Sequence, residues 1–79
     1  MRVAAIDCGT SSIRLLIADV DGSGLTDVVR VMKVVRLGEG VDVSGSLSSA
    51  AIERTWDAVS DYAAQIRAAG AQAVRMVAT

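Results

Sequence analysis

One carboxylate, one glycine, three hydroxyls and one guanidinium fall within eight residues: Asp7, Gly9, Thr10, Ser11, Ser12 and Arg14. Gly9 allows a tight turn and lets the backbone approach a ligand with no Cβ in the way. Thr10, Ser11 and Ser12 offer hydroxyl donors, and successive backbone amides in a turn can converge on an anion. Arg14 can add a bidentate, charge-assisted contact to phosphate oxygens. Asp7 repels phosphate, so its expected partner is a hard cation such as Mg²⁺, held directly or through water. The set therefore suits a metal-bridged phosphate. Any one of these residues is also an ordinary turn residue, and it is the set that points to chemistry.

Two apolar runs must hold the turn. Val3 to Ile6 leads in and Ile13 to Ala18 leads out, the pattern of a β-hairpin. Residues 2–7 read as the first strand and 13–20 as the second. Ile13, Leu15 and Ile17 point to one face of it, and Leu16, Ala18 and Val20 to the other. A strand apolar on both sides belongs in a covered sheet. Asp21-Gly22-Ser23-Gly24 is a solvated turn by composition. Residues 25–36 read as a third, valine-rich strand interrupted by Arg30, Lys33 and Arg36. Arg30 and Arg36 share one face and Lys33 takes the other, which suits charges that discourage edge pairing better than an anion patch. Arg36 stands apart because it lies where the strand enters the next loop.

Residues 37–48 hold three glycines and two acids and read as a loop. Glu39 and Asp42 there read as solvated carboxylates and not as a general-base pair. Residues 49–69 form the one clear helix. Ile52, Trp56, Val59, Ala63 and Ile66 recur at helical spacing, with Ser48 or Ser49 to cap its start and Gly70 to end it. Trp56 and Tyr62 suit packing rather than ligand stacking. Residues 73–78 read as a fourth strand.

The motif Asp-x-Gly-Thr-Ser-Ser-x-Arg resembles the first phosphate motif of the actin-like ATPase superfamily. The segment Val34 to Val41, then Leu47-Ser48, Ala51-Ile52 and Val74 to Thr79, resembles the exopolyphosphatase / guanosine pentaphosphate phosphohydrolase family. The similarity runs in order along the whole chain, although that family usually has Asn where Ser11 stands. The resemblance implies an α/β, ribonuclease H-like fold of order β-β-β-α-β, with a mixed, incomplete sheet and a right-handed crossover. It implies that residues 1–79 are the N-terminal part of the first such domain, truncated after the fourth strand. The implied function is Mg²⁺-assisted release of terminal phosphate from polyphosphate or a phosphorylated guanine nucleotide. Gly9, Thr10, Ser11, Ser12 and Arg14 would bind phosphate and Asp7 the metal. The family's catalytic glutamate lies beyond this chain, so no residue here is catalytic. A carbohydrate-kinase ATP module and a non-catalytic dimerising domain are the alternatives. The segment from Arg36 to Val41 argues against the first.

Composition narrows the classes further. With 79 residues there is room for one small domain. A net charge of −1 gives no basic footprint for nucleic acid. No apolar run approaches the roughly 20 residues needed to span a membrane. There is no histidine, so neither a Ser–His pair nor a His-ligated zinc can form. The single cysteine, Cys8, has no histidine to activate it, reads as a small core residue and suits a reducing, cytoplasmic setting. Hydrophobic residues make up 52% of so short a chain. One helix can cover only one sheet face, so the other is expected to need a second copy or the remainder of the same protein.

Overall fold

A computed structural model describes residues 1–78. Strands β1 (Arg2–Cys8), β2 (Ser12–Asp21) and β3 (Gly24–Val34) are followed by a single-turn helix α1 (Val41–Ser44), helix α2 (Ser49–Ala69) and strand β4 (Ala73–Ala78). The sheet order is β3-β2-β1-β4. β1–β2 and β2–β3 are antiparallel, whereas β1–β4 is parallel and requires the α2 crossover. This is the mixed, open β-β-β-α-β sheet expected from the sequence.

Local chemistry accounts for each junction. The Gly9 amide donates to the Ser12 carbonyl at 2.9 Å and closes the first hairpin. In the second, Asp21 Oδ1 accepts from the Ser23 amide at 2.8 Å and from its hydroxyl at 2.6 Å, a side-chain turn that needs an acid at that position. A β-bulge between Ile17 and Ala18 in the β2–β3 register leaves Val28 as the extra residue of the outer strand. Ser48 Oγ accepts from the Ala51 amide at 3.1 Å and caps α2, and Gly70, at φ 70°, ends it. Gly40 and Gly45, both left-handed, bracket α1, which breaks the loop expected over 37–48.

α2 packs over β2. Ile13, Leu15 and Ile17 on β2, with Ala4 and Ile6 on β1, meet Ala58, Tyr62 and Ile66. Tyr62 is fully buried, and its hydroxyl donates to the Ile13 carbonyl at 2.8 Å. Burying one such side chain contributes about 1.5–3 kcal/mol. The helical stripe differs from the expected one. Ile66 is buried and Val59 and Ala63 are half-buried, but Ile52 is 51% and Trp56 70% exposed. Ala51, Ala58 and Tyr62 take the inward positions instead. Two alanines let the helix sit close to the sheet, and the long tyrosine reaches into it.

Among the described residues, no layer covers the opposite sheet face. Val3, Ala5, Asp7, Leu16, Arg30, Met32 and Val77 line two concavities on it, of about 600 and 420 Å³. Met32 and Val77 are each about half exposed.

Candidate phosphate site at the first hairpin

The β1–β2 register puts Asp7 opposite Arg14. Side chains alternate along a strand. Since Ile6 and Ile13 face α2, Asp7, Ser12 and Arg14 all face the uncovered side. Both Asp7 and Arg14 are exposed, and among the described residues neither takes part in an ion pair. Two opposite charges thus stand side by side with no internal partner. Cys8 faces the helix layer, half-buried and packed against the core, as expected.

The turn itself is fastened from behind. The Ser11 carbonyl accepts from the amides of Val35 at 2.9 Å and Arg36 at 3.0 Å, and the Thr10 carbonyl accepts from Gly38 at 3.0 Å. Among the described residues, the amides of Thr10 and Ser11 themselves donate to no backbone carbonyl. The carbonyls are used inside the fold, and among the described residues the two amides are left without a backbone acceptor. That polarity suits an anion. Gly9 is not among the glycines with positive φ. What it can offer a ligand is the missing Cβ and not a left-handed backbone.

Asp7 is the acid of this site that could meet a metal. Among the described residues, no three His, Cys, Asp or Glu side chains cluster as a metal-binding group. A lone carboxylate fits Mg²⁺, which keeps several waters and is commonly held by one or two carboxylates together with substrate phosphates. It does not fit a metal held by protein alone.

Three features escape the sequence reading. Arg54 is not a solvated helix charge: Nε donates to the Val35 carbonyl at 2.8 Å, and Nη2 to the Arg36 carbonyl at 3.3 Å and to Glu39 Oε2 at 3.2 Å. Glu39 and Asp42 are exposed, as expected, but they line a cleft of about 620 Å³ together with Thr10 and Ser11. The Tyr62 bond to Ile13 fixes the strand immediately after the turn. The partners involved lie 15 to 49 residues apart, so no local pattern announces them.

The chain belongs to the Ppx/GppA phosphatase family, whose model matches residues 16–79. An exopolyphosphatase 2 from Mycobacterium tuberculosis is 57% identical over 99% of this chain and 26% of its own length. A guanosine-5'-triphosphate,3'-diphosphate pyrophosphatase from Pseudoalteromonas translucida is 37% identical over 96% of this chain and 15% of its own. The crystal structure of the Aquifex aeolicus Ppx/GppA phosphatase superposes with a TM-score of 0.93 at 32% identity, over 99% of this chain and 26% of that one. The chain thus spans about a quarter or less of the length of these relatives. The turn, at 7–14, precedes the span of the family model but lies within the similarity to whole proteins. No helix among the described residues is long and apolar enough to cross a membrane.

Proposed function

We propose that residues 1–79 are the N-terminal part of the first domain of a phosphohydrolase, and that they supply its first phosphate-binding turn. The substrate would be inorganic polyphosphate, guanosine pentaphosphate or both. The 57% identity to an exopolyphosphatase, against 37% to a pyrophosphatase of the guanine nucleotide, favours polyphosphate. The observation that carries the reading is the hairpin: Asp7, Ser12 and Arg14 on one face, next to the Thr10 and Ser11 amides, which among the described residues donate to no backbone carbonyl.

In this reading the amides and hydroxyls of Thr10, Ser11 and Ser12 seat the terminal phosphate. Arg14 binds its oxygens and stabilises the charge that develops as the anhydride breaks. Asp7 orients a Mg²⁺, which when bound would neutralise phosphate charge and fix the leaving group. The water and the base that directs it come from elsewhere in the protein. The lone, half-buried Cys8 is in keeping with a reducing, cytoplasmic compartment.

The test is phosphate release by the full-length protein. Polyphosphate and guanosine pentaphosphate should each be assayed with Mg²⁺ and with the metal chelated. Mg²⁺-dependent release from at least one is expected. No release from either, or transfer of phosphate from ATP to a sugar instead, would overturn the reading.

A further inference from the structure

Arg36 has φ 49°, and it is the one non-glycine residue with positive φ among those described. The other such positions are Gly24, Gly40, Gly45 and Gly70. Glycine reaches this region without steric cost, whereas a long side chain stays there only when its surroundings hold it. Arg36 is held from two sides. Its amide donates to Ser11 of the turn at 3.0 Å, and its carbonyl accepts from Arg54 of α2 at 3.3 Å. A backbone bend alone would be served better by glycine. An arginine there keeps a cation at a strained position beside the turn. That cation is not consumed internally: its side chain is 67% exposed, and Glu39 approaches Nε only to 3.9 Å while lying closer to Arg54. Arg36, Thr10 and Ser11 line the same cleft. Arg54 offsets Glu39, which leaves Asp42 as the charge on that lining that opposes an anion.

We propose that Arg36 is a second anion contact of this site and binds a substrate phosphate next to the one seated in the Thr10–Ser11 turn. The inference rests on the proposed function of that turn. Its substrate class is a compound with at least two linked phosphates. Arg54 is then a positioning residue that keeps the left-handed backbone in place.

The test exploits two effects of opposite sign. In the full-length enzyme, Arg36→Gly removes the cation and also relieves the backbone. Its Tm should hold or rise, while KM for polyphosphate and for guanosine pentaphosphate should rise about tenfold, the size expected for a charge-assisted hydrogen bond. Arg36→Lys should fall between Arg36→Gly and wild type in KM. Wild-type KM in Arg36→Gly would overturn the proposal, as would a KM that rises only together with a fall in Tm. Arg14→Ala separates the two layers of the argument. If Arg14→Ala is damaging and Arg36→Gly is silent, only the Arg36 contact fails. If both are silent, the phosphate turn fails as well.

Discussion

Asp7 and Arg14 are register partners across the first hairpin, on the sheet face that α2 leaves open. Their separation along the chain is set by the turn, and their shared face by the two-residue period of the strands. Position 11 sits at the tip between them. Either the hydroxyl of a serine or the amide of an asparagine could donate to phosphate from that position. Ser11→Asn is therefore expected to retain phosphate release in the full-length enzyme. An inactive Ser11→Asn variant with normal folding would show that the tip is shaped for serine.

Tyr62 ties α2 to the strand that follows the turn. Tyr62→Phe keeps the packing but strips the Ile13 carbonyl of its side-chain donor. Leaving a buried acceptor short of a partner costs about 1–3 kcal/mol. A lower Tm with little change in KM is expected. An unchanged Tm would mean that water replaces the hydroxyl.

Acid should loosen the fold through surface carboxylates. The Lys33 ammonium, and after it the Gln65 amide, hold Asp61 below its ordinary value of 3.8, and the Arg2 guanidinium does the same for Asp19. A carboxylate with a depressed folded pKa stabilises the fold above the unfolded value and loses that contribution as pH falls through the folded one. Stability should therefore drop as pH falls from about 4 downward, and Asp61→Asn should flatten the drop. Melting curves across that range check this. Equal acid sensitivity in Asp61→Asn would assign the loss to other groups. The effect should shrink in high salt, most for the exposed Lys33–Asp61 pair and less for the part-buried Arg2–Asp19 pair.

Much of the fold was legible because it rests on local patterns. Alternation located the strands, the Ser48-Ser49 pair and Gly70 located the ends of α2, with Ser48 proving to be the cap, and the cluster from Asp7 to Arg14 located the turn. The facing of α2 was not legible. Ile52 and Trp56 sit at helical spacing with Ile66, yet depth in the core is decided by how closely the helix can approach the sheet. Ala51 and Ala58 allow that approach, and a count of large apolar residues overlooks them. In the sequence nothing distinguishes Arg54 from any other charge on a helix, because its partners are carbonyls 18 and 19 residues away. The left-handed state of Arg36 was hidden for the same reason, since a sequence predicts glycine at such positions.

The uncovered face predicts behaviour for residues 1–79 in isolation. Leu16, Met32 and Val77 stand on it, and Ile52 and Trp56 are exposed on α2. Each large apolar side chain left in water forgoes about 1.5–3 kcal/mol, against the ~5–15 kcal/mol that holds an ordinary domain. The isolated chain should self-associate and should release no phosphate from polyphosphate. A compact, cooperatively melting monomer in sedimentation at low concentration would contradict the first statement. Mg²⁺-dependent phosphate release by the isolated chain would contradict the second.

The central claim is that the hairpin from Asp7 to Arg14 binds the phosphate being transferred. It is tested most directly by kcat/KM for phosphate release in full-length Asp7→Asn and Arg14→Ala. Both side chains are exposed and among the described residues neither joins an ion pair, so neither change should disturb folding. Losing one well-placed electrostatic group at a transition state typically costs about 10²–10³ in rate. Losses of that order in both variants, at unchanged Tm, are predicted; wild-type kcat/KM in both would contradict the account.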